Sequence, residues 1–372
     1  SGADRSAITI AGGIGHVTVR HVEVTGVHHF GGGVAGLLVG DGAHDIVLSR
    51  LFVTNNWIYG VEVRSGTRVH IDRSTITHNA VGVRFLRGGK GSTVTRSTIS
   101  TNDRMAIDDA TPGNDFGANG VVFQWTTGTI TASGNTLANN RAPSHDYVYD
   151  GSAFETYGGS DIRMIGNVIY NNPTAYETGT DGQPCDNVVF ARNRVWGQGR
   201  ADLYARGRKT MGIILRCGRN VLIANNTFDR IDDWVFWFDG SNANAGPFGD
   251  VRILGNAYLQ KTSSSVYAID MNASQRSGIS VDRNALGWIG APGWPGKLQG
   301  YGGLRSFSDL RRLAGFDRRG RQGALRFLNP ARHRYIPQAG SIAIDLAPVI
   351  RGISAHGYRG SAPDAGAIEG RR

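Results

Sequence analysis

Acidic residues are the minority charge in this chain: 30 Asp and Glu face 40 Lys and Arg, a formal net charge of +10 over 372 residues. No apolar run approaches the roughly 18 residues needed to cross a bilayer as a helix, so no such span is expected. Apolar residues with helical periodicity are scarce, and no recognition-helix motif accompanies the scattered arginines, which argues against a nucleic-acid partner. Charge makes up only 19% of the chain while glycine reaches 54 residues, a balance that suits tight turns between short strands and argues against disorder. There are two cysteines, Cys185 and Cys217. Each follows a candidate strand on neighbouring or next-neighbouring repeats, so a disulfide is plausible; two buried thiols are the alternative. A bridge would favour an extracellular protein. No leader precedes Ser-Gly-Ala-Asp, so a processed or truncated start is expected. The positive balance has two readings: a polyanionic partner, or an Arg-rich composition without functional meaning.

What the chain does have is a repeat. An Asn-X-aliphatic pattern, or its Ser/Arg-substituted form, is anchored at His21, Arg50, Ser74, Ser97, Asn135, Asn167, Asn193, Asn226, Asn256 and Asn284, at gaps of 29, 24, 23, 38, 32, 26, 33, 30 and 28 residues. Self-similarity at this period predicts a solenoid, each unit burying its apolar face against its neighbours. Short strands punctuated by Gly and Asn narrow it to an all-β, right-handed parallel β-helix of about ten coils over 1–290, with 291–372 as an irregular capping segment on the last coils. The anchor Asn residues read as scaffold: Asn tolerates left-handed turns and can bond the backbone of the next coil. A short helix is expected at Ser308–Ala314 with Ser306 or Ser308 as its N-cap.

A second strand per coil aligns as YGVEVR (59–64), VGVRFL (81–86), MAIDDA (105–110), GVVFQW (120–125), GSAFET (151–156), TAYETG (174–179), MGIILR (211–216), WVFWFD (234–239) and VYAID (266–270). Alternation then places Phe154, Tyr176, Leu215 and Phe238 inward and Glu155, Glu177, Arg216 and Asp239 in one outward row, extended by Gln124 and Asp109. Insertions at about 109–120, 140–150, 197–210 and 240–250 interrupt the coils, and loops on a rigid scaffold commonly carry function.

The coil anchors GNTL, GNVI, NNTF and GNAY resemble those of the right-handed parallel β-helix superfamily of pectate-lyase-like carbohydrate-active enzymes, over about Ile8–Leu286. The tail LNPARHRYIPQAGSIAID with PDAGAIE is similar to the closing segment of secreted bacterial β-helix proteins. The resemblance implies a secreted enzyme acting on a polysaccharide; the superfamily holds lyases, hydrolases, epimerases and tailspikes, so the reaction has to come from the site.

Coils stack at roughly 4.8 Å, so Glu155 and Glu177 should present carboxylates about 5 Å apart. Two chemistries use such a pair. For β-elimination on a uronate chain, Asp150, Glu177 and Asp181 would hold Ca²⁺, which takes several oxygens, while Arg216 or Lys209 abstracts the proton. Pectate lyases are similar in pairing a Glu-x-x-x-Asp segment with a later basic residue; here Glu177-Thr-Gly-Thr-Asp181 precedes Arg216, though the surroundings of Arg216 depart from the family's motif. For hydrolysis, Glu155 and Glu177 act directly as a retaining pair, and Asp239 or Asp150 could make the wider pair of an inverting enzyme. The charge balance tips the expectation slightly to the lyase, with an anionic polysaccharide as partner. His145, Asp146, Tyr147, Tyr157, Trp125 and Asp239 are the candidates for sugar contacts, by stacking and hydrogen bonding. A non-catalytic glycan-binding β-helix is a further alternative, and a surface ion-pair ladder of Glu155, Glu177 and Arg216 is the bland one.

Overall fold

The computed structural model describes residues 5–28, 34–111, 114–197, 211–242 and 245–370. The chain forms a parallel β-helix whose coils each contribute short strands to three walls, and it divides into two compact units. Among the described residues the first comprises 5–163 and 167–185, the second Met164–Gly166, 186–197 and 211–370.

In the first unit the first wall includes Tyr59–Arg64, Val81–Leu86, Asn119–Gln124, Ser152–Tyr157 and Thr174–Gly179, all paired in parallel. Inward residues stack rung upon rung: Val61 opposes Val83, Val121 opposes Phe154, and Phe154 opposes Tyr176. All five are sealed from solvent. Phe85, Phe123 and Phe154 continue this filling as stacked rings 6.0 and 6.3 Å apart. In the second unit, Met211–Leu215, Trp234–Asp239 and Ser265–Asp270 play the same part. Their interior is more aromatic: Phe228, Phe236, Tyr258, Tyr267 and Phe316 pack with centroids 5.5–6.1 Å apart.

The anchors form the expected ladder, with one shift. Leu51 N donates to Ser74 Oγ, Ser74 N to Ser97 Oγ, Ser97 N to Asn135 Oδ1 and Asn135 N to Asn167 Oδ1. The first two anchors therefore sit one residue late, at Val22 and Leu51, rather than at His21 and Arg50. The left-handed residue is the one before the ladder position: His21, Arg50, Arg73 and Arg96 have φ of 47–54°. Asn135 and Asn167 have right-handed backbones and work by hydrogen bonding alone. In the second unit the ladder runs Asn193, Asn226, Asn256, Asn284 and ends on Asp317. The first unit has another ladder that the anchor pattern did not reveal. Asn56, Asn79, Asn102, Asn140 and Asn172, each five residues past a ladder residue, bond backbone and side chain of the preceding member.

Met105–Ile107 is no wall strand. It pairs antiparallel with Phe116–Gly117, and Ala142–Ser144 pairs with Val148–Asp150, so two of the insertions are small two-stranded sheets. The C-terminal helix begins at Phe307 under a Ser306 cap, widens into a π-turn over Leu310–Ala314 and stops at left-handed Gly315. Beyond it, Leu325, Phe327, Tyr335, Ala343, Leu346 and Ala365 pack on Ala257, Leu259 and Ala285. The PDAGAIE segment is stitched on by Gly366 N to Gly255 O and Ala367 N to Thr227 Oγ1, each 2.9 Å. A Cβ on Gly366 would meet that same Oγ1 at 2.9 Å, so the close approach requires glycine. Neither cysteine is free; Cys185 and Cys217 are disulfide-bonded. No described helix is long and apolar enough to cross a membrane.

Candidate functional site: an acidic pair on the first wall

Glu155 and Glu177 are direct partners on adjacent rungs, one strand spacing apart. Each is flanked by inward residues (Phe154 and Thr156, Tyr176 and Thr178), so both carboxylates leave the outer face of the wall. Glu155 is 8% exposed and Glu177 is half-buried. Asn119, one rung back, donates Nδ2 to Glu155 Oε2 at 2.5 Å. The amide is oriented for this because its Oδ1 accepts from Ser152 N and Oγ at 2.9 and 3.0 Å. An amide donor aimed at a carboxylate stabilises the ionised form. Tyr157 hydrogen-bonds the same carboxylate, and burial, then Glu155, Glu177 and Asp150, push its phenol well above the ordinary range. Tyr157 thus stays a neutral donor beside Glu155.

The row is not the one the alignment predicts. Val122, not Gln124, opposes Glu155, and the row continues through Arg84 and Glu62. Gln124 opposes Tyr157, and Asp109 lies in the loop after Met105–Ile107, held by Thr111 and Asn114. A slip of two residues keeps a side chain on its face but moves it to the next row, so alternation alone cannot detect it. Arg84 is fully engaged: it reaches Tyr59 Oη, Glu62 Oε1 and Gln124 Oε1. Gln124 in turn donates to Asp181 Oδ2 at 3.2 Å, and Trp125 Nε1 to the Asp181 carbonyl at 3.3 Å, while Arg87 covers the Trp125 ring. Tyr59, Glu62, Arg84 and Asn119 were not among the sequence candidates, although YGVEVR and VGVRFL carry Glu62 and Arg84 at the aligned position of Glu155.

The outer face beside the pair is apolar. Tyr59, Val81 and Val122 cluster with Phe116 and Tyr157, whose rings meet edge-on at 6.0 Å. The two insertions are tied together above it: Ser144 Oγ and Asp146 N bond Asp115 Oδ2, and His145 N bonds Asp108 Oδ1. His145 is exposed, and its charge is felt at Asp109; Tyr147 N donates to Ser144 Oγ.

Asp181 is turned toward Gln124 and Trp125, so Asp150, Glu177 and Asp181 do not close on one point. Among the described residues only His16, His44 and Asp45 bring three ligand atoms within 4.8 Å of one another. The proposed Ca²⁺ ligands therefore do not fit a preformed site. Arg216 and Asp239 belong to the second unit, where they pair with each other at 3.1 Å. Lys209 lies outside the described residues.

Comparison with known proteins agrees with this architecture. Residues 6–175 match the family model for a right-handed beta helix region. Among solved structures, pectate lyase Pel9A aligns at a TM-score of 0.51 and 15% identity, over 99% of this chain and 87% of that one. DFA-IIIase from Arthrobacter chlorophenolicus A6 without its lid aligns at 0.38 and 8%, over 88% and 70%. The PL6 family alginate lyase AlyGC aligns at 0.27 and 11%, over 94% and 56%. No curated protein matches the sequence. With its parallel walls and asparagine ladders the chain has the fold of the right-handed parallel β-helix proteins, and its residues 6–175 match their family model.

Proposed function

We propose that this chain is an exported enzyme that cleaves glycosidic linkages of a polysaccharide at Glu155 and Glu177, by hydrolysis with retention of configuration. The observation that carries the reading is the register placing the two carboxylates on the same face of adjacent rungs. A separation near 5 Å is that of a retaining pair, whereas an inverting pair needs room for a water. Glu155 is the nucleophile: Asn119 and Tyr157 stabilise its charge and fix its rotamer. It attacks the anomeric carbon while Glu177, the more exposed, protonates the departing glycosidic oxygen. Glu177 then takes a proton from water as that water displaces Glu155. The partly exposed rings of Phe116 and Tyr157 supply a platform for a sugar ring, backed by buried Tyr59 and Val81, and Trp125 and the 144–149 loop supply its borders. Oxidised cysteines suit an exported protein.

Elimination on a uronate chain is the second reading, favoured by the net charge of +10 and by the fold shared with pectate lyase Pel9A. Its weakness is the base. Arg216 is ion-paired to Asp239, which holds the guanidinium protonated, and an arginine resists deprotonation in any case. No step is assigned to Ca²⁺. The two readings part on products: a panel of acidic and neutral glycans should yield new reducing ends without unsaturated-uronate absorbance, in chelator as without it. Appearance of that chromophore would establish elimination. Binding without any product would leave a glycan-binding module.

A further inference from the structure

The ladder corner between the second and third walls of the first unit carries a basic side chain on four successive rungs, before Gly134 takes the position. His21, Arg50, Arg73 and Arg96 occupy the same left-handed position on four successive coils. Each backbone N–H donates to the carbonyl of the residue preceding the corner on the next coil (Ser49, Asp72, Thr95 and Ser133), which fixes their stacking. Arg20, on the strand Thr18–Arg20, lies beside them and opposes Ser49. The three corner arginines are exposed, as are Arg20 and His21.

The corner is also concave: Arg20, His21, Ser49, Arg50, Asp72 and Arg73 line one cleft. Four guanidiniums, Arg20, Arg50, Arg73 and Arg96, face a single carboxylate there. Asp72 is taken by Arg73 at 3.0 Å, by Arg96 at 2.6 Å and by Thr95 Oγ1 at 2.7 Å. Among the described residues Arg20 and Arg50 make no ion pair. Arg20 and Arg50 are thus exposed guanidiniums lining a cleft whose one carboxylate is already paired with Arg73 and Arg96.

We propose that this corner is an anion-binding groove for a uronate-bearing polysaccharide, separate from the carboxylate pair on the first wall. Guanidiniums repeating at the strand spacing of about 4.8 Å offer bidentate contacts to carboxylates strung along an extended polymer laid parallel to the coil axis. The groove is lined by no Phe, Tyr or Trp on which bases could stack, which sets it apart from single-stranded nucleic-acid channels. It anchors the polymer while the first wall acts on it. The proposal stands apart from the cleavage reading, because binding here does not need Glu155 or Glu177.

The test is calorimetric titration of the full chain with polygalacturonate, in about 20 mM and roughly 200 mM salt, spanning strong and weak screening. Arg20→Glu/Arg50→Glu should weaken binding about tenfold or more at low salt, the loss shrinking in high salt, because it replaces attraction with like-charge repulsion. Arg276→Glu, a reversal of one charge on a helix of the second unit, should bind with wild-type affinity. Arg20→Gln/Arg50→Gln should show a smaller loss and supplies the reading if the glutamate variant does not fold. Glu177→Gln should retain affinity while losing any cleavage, which separates failure of the groove from failure of the active pair. Unchanged affinity in both Arg20/Arg50 variants, an equal loss in Arg276→Glu, or tighter binding of duplex DNA than of polygalacturonate would overturn the groove.

Discussion

In the first unit the central outward positions of the wall strands run Thr9, Leu38, Glu62, Arg84, Val122, Glu155 and Glu177; in the second they run Ile214, Trp237, Ala268 and Lys297. The inward positions of both units are apolar or aromatic, and both have asparagine ladders. The coil needs only the inward residues and the ladder to specify itself, so the outer face is free to differ from rung to rung. Lys297 apart, charge on the second unit's wall lies two residues later, at Arg216, Asp239 and Asp270, where Arg216 is neutralised by Asp239 and Asp270 accepts from Trp237 Nε1 at 2.9 Å. Closed pairs of that kind hold a wall together. Adjacent carboxylates occur in both units, but Asp239 and Asp270 of the second are met by Arg216 and by the Trp237 indole. The Glu155 and Glu177 pair is met instead, at Glu155, by an amide and a phenol, which leaves its charge uncompensated by a cation in those contacts.

The sharpest way to break this contrast is to remove one charge from each unit. Glu155→Gln and Glu177→Gln should each lower the rate of glycan cleavage by on the order of 10³-fold or more, with unfolding temperature little changed. Asp239→Asn should leave that rate within a few-fold and lower stability instead, because it removes the negative charge paired with the half-buried Arg216 guanidinium. A comparable rate loss in Asp239→Asn would erase the distinction between the units.

The ladders are the shared part, and damage to either should cost similar stability. Asn256 Oδ1 accepts from Asn226 N and Nδ2, and its Nδ2 donates to Ile223 O and Asn284 Oδ1. Asn256→Ala orphans several buried polar groups and should destabilise by about 3 kcal/mol. Asn135→Ala in the first unit should do the same, read by denaturant melts of each variant.

Acid should separate the units again. Burial pushes Asp317, the carboxylate that ends the second unit's ladder, up to about 6, and burial pushes Glu369 in the closing segment up to about 7. A carboxyl raised in the fold favours the protonated form there, so its contribution is full below the unfolded value near 4 and is lost as pH climbs through the folded one. The second unit should therefore lose on the order of 2 kcal/mol between about pH 5 and pH 8, and Asp317→Asn should flatten that slope. Hydrogen exchange resolved by segment reads it directly, and a slope confined to the first unit would contradict it.

The smallest effect is expected at Tyr157. Removing one hydroxyl that holds Glu155, Tyr157→Phe should slow cleavage about tenfold while leaving the carboxylate pair in place. No change at all would mean that Asn119 alone orients Glu155.

Much of the fold could be read from spacing, because a ladder residue every 23–38 positions is a one-dimensional signal. The wall strands 59–64, 81–86, 174–179 and 234–239 have the bounds that alternation assigns them. The second ladder was legible too, in the Asn that follows five residues after each ladder position. Rows across the wall were harder. The outward pair Glu155 and Glu177 survives because those coils differ by 22 residues without an insertion. Gln124 and Asp109 moved because the 38-residue gap between Ser97 and Asn135 contains a hairpin that period-two reasoning cannot count through. Asn119 escaped notice because its role depends on Ser152 turning its amide, a relation between coils rather than a motif. Asp181 looked like a metal ligand in Glu-x-x-x-Asp, but the left-handed turn at its own position (φ 41°) sends it to Gln124.

The configuration of the first-formed product, followed by NMR during the opening minutes of cleavage, tests the central claim most directly. Two carboxylates one rung apart predict that the new anomeric centre keeps the configuration of the linkage that was cut. An inverted centre, or a product with a ring double bond, would contradict the assignment of Glu155 as nucleophile and Glu177 as acid and base.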